Sequence, residues 1–163
     1  MAAGKVWKYK NNINTDIIAP PESMELTIPE AAKYAMSNLD AEFAPNFKPG
    51  DVLVTEHNLG SGSSRETAPL VLKELGVHVI VAMDYARIFF RNCINVGIIA
   101  VECPDTDKIS MGDQIEVDYL AGKIYNRTTN ETYSCNKVPP HIEEIVKCGG
   151  LIPYIKEKRL KKS

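Results

Sequence analysis

A regular alternation of strand and helix between residues 51 and 103 constrains the fold of this chain more than any other feature. Three apolar runs typical of strands are separated by two segments with helical spacing. In chain order these segments are DVLVTEH, ETAPLVLKELG, VHVIVAM, ARIFFRNCINVG and IIAVEC. Gly76 and Gly97 stand where the two helices should end, since glycine readily adopts the left-handed conformation that closes a helix. Short joints in a β-α-β-α-β order predict a partly parallel sheet with helices packed against it.

The flanking segments add further strands and helices. Ahead of the alternating region, KVWKYK has the pattern of a strand, and PEAAKYAMSNL predicts a helix with Pro29 near its first turn. After Cys103, DQIEVDYLAGKIYNRTTNETYSC contains short strands joined by hairpin turns, and the C-terminal segment predicts a helix interrupted at Gly149 and Gly150. The sequence therefore predicts a mixed α/β fold, three-layered or barrel-like, in one domain of residues 1–163.

Composition excludes several classes of function. The 163 residues are 44% hydrophobic, which is enough for one buried core, and the formal net charge of -2 gives no electrostatic reason to expect nucleic acid or an anionic membrane as a partner. The N-terminal segment lacks the apolar run of a signal peptide, and no stretch reaches the ~18 apolar residues of a membrane helix, so we expect a cytoplasmic protein. The four cysteines are spaced singly, without a CxxC pair, so we expect no metal site in this chain.

Residues 58–66, NLGSGSSRE, form a glycine loop between a predicted strand and a predicted helix. Unpaired N–H groups and the helix dipole favour an anion there, and Arg65 adds a charged, planar donor. A phosphate-binding P-loop would need Lys followed by Ser or Thr after its last glycine, and the dinucleotide fingerprint would need a third glycine where Arg65 stands. The serines are also out of phase with the Gly-x-Ser-x-Gly elbow of hydrolases. The loop thus predicts an anion site of another kind.

Two of the candidate residues also have purely structural interpretations. Ser63 and Glu66 fit the Ser-x-x-Glu capping box, and spacing alone favours helix capping by Ser63 over catalysis. Asp16, in the sequence Asn14-Thr15-Asp16, is typical of an Asx turn. Cys93 is predicted to serve packing rather than chemistry.

Three motifs in a fixed order favour functional roles over purely structural ones for Ser63 and Asp16. NTDIIAP, GSGSSRE and ARIFFRNCINVGI together resemble the small subunit of the aconitase-like hydro-lyases, a group that includes isopropylmalate isomerase, homoaconitase and 2,3-dimethylmalate dehydratase. The resemblance covers nearly the whole chain and implies the swivelling β/β/α domain of that family. It also implies a large partner subunit, in a heterodimer or heterotetramer, which carries a four-iron, four-sulfur cluster. A carboxylate-binding module without catalysis is the competing interpretation.

The resemblance assigns roles to four residues. Ser63 corresponds to the base that removes a proton next to a substrate carboxylate, while Ser64 and Arg65 correspond to residues that bind a carboxylate of a small dicarboxylate substrate. Asp16 corresponds to an active-site aspartate that could orient Arg65 or a serine hydroxyl. A serine hydroxyl is a weak base in water, so this role requires positive potential that stabilises its alkoxide.

The substrate-specificity loop departs from the family pattern. Many relatives carry Tyr-Leu-Arg-Thr in this region, whereas this chain has the following residues: Glu22, Ser23, Met24, Glu25 and Leu26. An arginine would pair with an extra carboxylate, so its absence argues against a tricarboxylate substrate of the homoaconitase type. We expect Met24 or Leu26 to line a pocket for an alkyl group and the two glutamates to face water. The expected substrates are alkyl-substituted malates: 3-isopropylmalate, 2,3-dimethylmalate or 2-methylmalate.

Overall fold

The structure, a computed structural model, describes residues 2–162. The strands are β1 Gly4–Lys8, β2 Val52–Val54, β3 Val79–Ala82, β4 Ile99–Glu102, β5 Gln114–Asp118, β6 Lys123–Asn126 and β7 Glu131–Ser134. The helices are α1 Thr15–Ile18, α2 Ile28–Ala32, α3 Phe43–Asn46, α4 Thr67–Glu74, α5 Arg87–Val96, α6 Pro140–Lys147 and α7 Leu151–Lys162. Short 3₁₀ helices span Pro21–Ser23 and Thr106–Lys108.

The seven strands form one sheet in the order β4-β3-β2-β1-β5-β6-β7. The four strands from β4 to β1 are parallel, with Val6 opposite Val52 and Val54 opposite Val81. The remaining pairs, from β1 to β7, are antiparallel. The β-α-β-α-β run and the hairpins after Cys103 are therefore confirmed, and the sheet is partly parallel as predicted.

The two edges of this sheet come together. Asn136, two residues after β7, donates its backbone N–H to the Glu102 carbonyl of β4 at 3.1 Å, and its side-chain Oδ1 accepts from the Glu102 N–H at 2.6 Å. A flat sheet of seven strands would hold its edges about 29 Å apart at the usual strand spacing. The sheet must therefore curl, which gives the barrel-like form expected from the sequence.

Two hydrophobic cores follow from this curl. Helices α1 to α5 cover one face of the parallel half, where Leu53, Ile80 and Leu72 are fully buried. The second core contains side chains from both halves of the sheet, including Val54 of β2 and Ile115 of β5, so the two halves face each other. The resulting layers, sheet on sheet with helices outside, are the β/β/α arrangement.

The helix predicted from PEAAKYAMSNL is wrong in its extent. Only Ile28–Ala32 is helical, and the chain then continues in turns to residue 39. Met36 is fully buried with a left-handed φ of 62°, and its N–H donates to the Ile18 carbonyl at 3.1 Å. Burial of this side chain and the bond to Ile18 outweigh the helical propensity of the segment.

The C-terminal interruption is confirmed. Gly149 and Gly150 separate α6 from α7 with φ values of 94° and 129°. Lys73 of α4 fixes this corner, since its Nζ donates to the Gly149 carbonyl at 2.7 Å. Within residues 2–162, no helix has the length and apolar character needed to cross a membrane.

Candidate active site

The glycine loop lies at the carboxyl end of β2, beside the turn that joins β1 to α1. Because β1 and β2 are parallel neighbours, the segments that follow them leave the sheet at the same edge. Asn14 sets the start of α1, since its Oδ1 accepts the Ile17 N–H at 2.8 Å. Two motifs more than 40 residues apart in sequence thus become neighbours in space.

Besides a bond between the Asn58 and Asn12 side chains, three hydrogen bonds join the glycine loop to this turn and to the start of α1. The Gly60 N–H donates to the Ile13 carbonyl at 2.7 Å, and the Thr15 N–H donates to the Ser61 carbonyl at 2.9 Å. The third runs from the Ser63 N–H to the hydroxyl Oγ1 of Thr15, at 3.0 Å. The loop therefore has a defined path as far as Ser63.

The backbone path of the loop requires glycine at positions 60 and 62. Gly60 has a φ of 84°, and a Cβ at this position would lie 2.0 Å from Cγ of Phe89 on α5. Gly62 has a φ of 107°, and its Cβ would approach Thr15 Oγ1 to 3.1 Å. Any larger residue would be strained at both positions and would overlap Phe89 at the first.

The hydroxyl of Ser63 is bonded to Arg65. Its Oγ accepts from Arg65 Nε at 2.8 Å and from the Arg65 backbone N–H at 3.2 Å. Helix α4 begins only at Thr67, and the residue before it, Glu66, makes no side-chain capping bond. The capping-box interpretation of Ser63 is therefore wrong, because the hydroxyl lies four residues before the helix and faces the guanidinium instead. Ser63 is half-buried and Arg65 is exposed.

Asp16 and Ser64 lie beside this pair. Asp16 is exposed in the first turn of α1 and borders the same cleft as Ser63 and Arg65. Over residues 2–162 it makes neither a hydrogen bond nor an ion pair, so the expected contact with Arg65 or a serine hydroxyl is not formed. Its Asx-turn interpretation is also wrong, since Asn14 makes the side-chain bond that begins the helix. Ser64 is exposed, and it lies outside the residues that line the cleft.

The specificity loop separates its two candidate apolar residues. Met24 is half-buried and borders the cleft of Ser63 and Arg65, whereas Leu26 is 38% exposed and lines a different groove. Ser23 is buried and donates its hydroxyl to the Pro20 carbonyl at 2.7 Å, which fixes the loop between them. Glu22 and Glu25 are exposed, as expected. Of the two apolar residues, only Met24 is placed to touch a molecule bound at Ser63.

The cysteines do not form a ligand set for an iron-sulfur cluster. No group of three or more His, Cys, Asp or Glu side chains that could hold a metal occurs in the part of the chain that the structure describes. Cys93 and Cys103 are fully buried, and burial raises the pKa of both thiols, whereas a ligand must be a thiolate. Cys93 packs in the core under α5, as the sequence predicted.

Two residues at the site were missed by reasoning from sequence. Thr15 accepts the Ser63 N–H, and Asn92 on α5 donates its Nδ2 to the Ser64 carbonyl at 3.1 Å. Both lie in motifs that carry the family resemblance, NTDIIAP and ARIFFRNCINVGI. Neither side chain is charged or nucleophilic enough to predict a role at the site from its residue type.

Comparison with known proteins defines the class to which this fold and site belong. Residues 9–106 match the family model described as the aconitase C-terminal domain. A solved structure, the 3-isopropylmalate dehydratase (leuD) of Methanocaldococcus jannaschii, superposes with a TM-score of 0.93 at 36% sequence identity, covering 99% of this chain and 96% of the other. The aconitase-type swivelling fold expected from the motifs is thus confirmed.

Curated relatives narrow the class further. The 3-isopropylmalate dehydratase small subunit 1 of Archaeoglobus fulgidus is 46% identical over 157 residues, which are 96% of this chain and 98% of the relative. The isopropylmalate/citramalate isomerase small subunit of Methanocaldococcus jannaschii is 45% identical over 95% of this chain and 94% of the relative. The chain belongs to the aconitase C-terminal domain family, in the group of 3-isopropylmalate dehydratase small subunits.

Proposed function

We propose that this chain is the small subunit of a heteromeric hydro-lyase that dehydrates and isomerises an alkyl-substituted malate, with 3-isopropylmalate as its first candidate substrate. The names of its relatives support this substrate, and one relative is also named for citramalate, which is 2-methylmalate. Both molecules are malates with one alkyl group. The arginine-free loop with Met24 at the cleft agrees with an alkyl group rather than a third carboxylate.

The contact between Ser63 and Arg65 is the observation that carries the proposal. Arg65 Nε donates to Ser63 Oγ at 2.8 Å, and a guanidinium remains charged at any pH that a protein tolerates. This positive charge stabilises the alkoxide form of Ser63, which takes the proton from the substrate carbon next to a carboxylate. The proton passes from that carbon to Oγ of Ser63.

Binding of the carboxylate falls to the remaining donors at the loop. Arg65 has N–H groups beyond the one that reaches Ser63, and these are suited to a planar carboxylate. Ser64 adds an exposed hydroxyl next to it. Asp16, on the same cleft, would hold the guanidinium in place once substrate is bound.

Departure of the substrate hydroxyl requires a group that this chain does not supply. We assign that role to a four-iron, four-sulfur cluster in a large subunit, since the cysteines described above do not form a ligand set. When bound in the partner, the cluster would act as a Lewis acid on the hydroxyl. The whole chain, residues 1–163, would serve as one swivelling unit against that partner.

The test is reconstitution of the chain with its large subunit under anaerobic conditions, followed by measurement of alkene absorbance. Loss of a general base typically lowers kcat by about 10²–10⁴-fold. We expect Ser63→Ala to lower kcat by at least about 100-fold. Ser61→Ala is the matched control, because the Ser61 contact to the turn uses its backbone carbonyl and survives the substitution.

Three results would contradict the proposal or a part of it. Near-full activity of Ser63→Ala would remove Ser63 from the role of base. If a cluster-loaded complex of wild-type chain and large subunit turned over neither 3-isopropylmalate, 2,3-dimethylmalate nor 2-methylmalate, a carboxylate-binding module would be the better description. Preference for citrate or homocitrate would show that the specificity loop does not exclude a third carboxylate.

A further inference from the structure

We infer that Thr15 is a positioning residue for the Ser63 base, acting through its side-chain hydroxyl. This inference rests on the proposed function and deepens it, since it names the group that orients the base. Thr15 occupies the first position of α1 and is only 7% exposed. Its hydroxyl accepts the Ser63 N–H at 3.0 Å.

Thr15 holds the glycine loop on both sides of Gly62. Its backbone N–H donates to the Ser61 carbonyl at 2.9 Å, and its hydroxyl accepts from Ser63. The intervening Gly62 has a φ of 107° and passes so close to the hydroxyl that a Cβ there would lie at 3.1 Å. The chain therefore turns around the Thr15 side chain immediately before the reacting serine.

A substitution of Thr15 can remove its hydroxyl without disturbing the other hydrogen bonds between the turn and the glycine loop. The other bonds between turn and loop join backbone atoms or the side chains of Asn58 and Asn12, so they persist when the Thr15 side chain is changed. The start of α1 also persists, because Asn14 rather than Thr15 caps it. Removing the hydroxyl thus releases the Ser63 backbone alone.

Release of the Ser63 backbone would affect catalysis more than binding. Oγ of Ser63 is placed by its own backbone and by Arg65, and displacement of a reacting group by about 1 Å can cost up to about 100-fold in rate. Arg65 and Ser64, which are assigned to the carboxylate, make no bond to Thr15. We therefore expect kcat to fall while KM changes little.

Thr15→Val and Thr15→Ser form a matched pair for the test. Valine keeps the branched shape and loses the acceptor, whereas serine keeps the acceptor and loses the methyl group. In the reconstituted complex, with 3-isopropylmalate as substrate, we expect Thr15→Val to lower kcat between about 10-fold and 100-fold, with KM within about threefold of wild type. Thr15→Ser should recover kcat to within about threefold of wild type, since its hydroxyl can accept the same N–H.

A substrate deuterium isotope effect separates positioning from general damage. If Ser63 is misplaced, proton abstraction becomes slower and limits the rate more fully, so the isotope effect on kcat for substrate deuterated at the abstracted position should rise in Thr15→Val. A partly unfolded preparation would lower kcat and leave the isotope effect unchanged.

The outcomes distinguish this inference from the proposed function. Wild-type kcat in Thr15→Val, or failure of Thr15→Ser to recover kcat, would overturn the positioning role while Ser63 could still be the base. A loss of kcat in Thr15→Val with an unchanged isotope effect would also overturn it. Full activity in Ser63→Ala would instead refute the proposed function itself.

Discussion

Met24→Ala tests how the enzyme would choose its alkyl group. Met24 is the residue of the specificity loop that borders the cleft of Ser63 and Arg65. If its side chain contacts the alkyl substituent, truncation to alanine removes that contact and leaves the carboxylate-binding residues intact. The substitution should therefore discriminate between substrates that differ only in the size of the alkyl group.

The expected magnitude follows from the two alkyl groups. An isopropyl group exceeds a methyl group by two carbons, and burial of each is worth about 0.8 kcal/mol, so the apolar contact amounts to about 1.6 kcal/mol. At 1.4 kcal/mol per decade, loss of this contact lowers kcat/KM for 2-isopropylmalate, which carries its alkyl group on the same carbon as 2-methylmalate, by up to about 15-fold. For 2-methylmalate, which does not extend as far, kcat/KM should stay within about twofold of wild type.

The assay compares kcat/KM for both substrates in the reconstituted complex. Leu26→Ala is the matched control, because Leu26 belongs to the same loop but lines another groove and should leave the substrate ratio unchanged. The reasoning would be refuted if Met24→Ala lowered kcat/KM equally for both substrates, or if Leu26→Ala shifted the ratio and Met24→Ala did not. Thermal unfolding of each variant checks that the loop change has not destabilised the fold.

Two further predictions concern stability. Gly60→Ala should lower the free energy of unfolding in urea by about 3 kcal/mol, because alanine would be strained in the left-handed backbone and would overlap Phe89. Gly50→Ala is the control, since Gly50 has a φ of 98° with nothing within 4 Å of its Cβ position, and it should cost only about 1–2 kcal/mol. Equal losses would show that the Phe89 contact relaxes freely. The hydrogen bonds from the His57 ring and from the Asn58 backbone N–H hold the pKa of Asp84 below its ordinary value. This carboxylate therefore stabilises the fold above the ordinary pKa of aspartate and ceases to do so as the pH falls through its lower folded pKa. The difference in unfolding free energy between wild type and Asp84→Asn should therefore shrink as the pH falls below the ordinary pKa of aspartate, about 3.9, and a difference that grew there would contradict the assignment.

Much of the fold could be predicted because local pattern and tertiary structure agree along most of the chain. The alternating segment from residue 51 to 103 became two helices between parallel strands, and Gly97 ends α5 with a left-handed φ of 95°. The helix predicted after Pro29 ended early, because its best helix formers also supply buried side chains such as Met36. Propensity could not reveal that a bond to Ile18 would turn the chain there.

The candidate site could be predicted only in part, because the partner of the Ser63 hydroxyl depends on where a helix begins. Motif resemblance singled out Ser63, Ser64 and Arg65, but spacing alone favoured a capping role for Ser63. The hydroxyl had two partners within reach along the chain, the start of a helix and a guanidinium two residues away. Which of them it bonds depends on where α4 begins, and helix boundaries are the least certain part of a prediction from one sequence. The structure begins α4 at Thr67 and thereby leaves Ser63 to Arg65.

The order of the strands explains why residues so distant in sequence meet at one edge of the sheet. Strands β1, β2 and β3 are parallel neighbours, so the turn to α1, the glycine loop and the segment before α5 all leave the sheet on one side. Thr15 and Ser63 lie in the first two of these connections, and Asn92 lies on α5, which follows the third. Hydrogen bonds join the Ser63 N–H to Thr15 and Asn92 to the Ser64 carbonyl. Two of the exposed side chains at this edge, Ser64 and Arg65, are those that the proposed function assigns to the substrate carboxylate. A large subunit that supplied the rest of the chemistry would therefore have to meet the chain at this edge, and substitution of the exposed Ser64 or Arg65 should impair turnover in the complex without unfolding the chain.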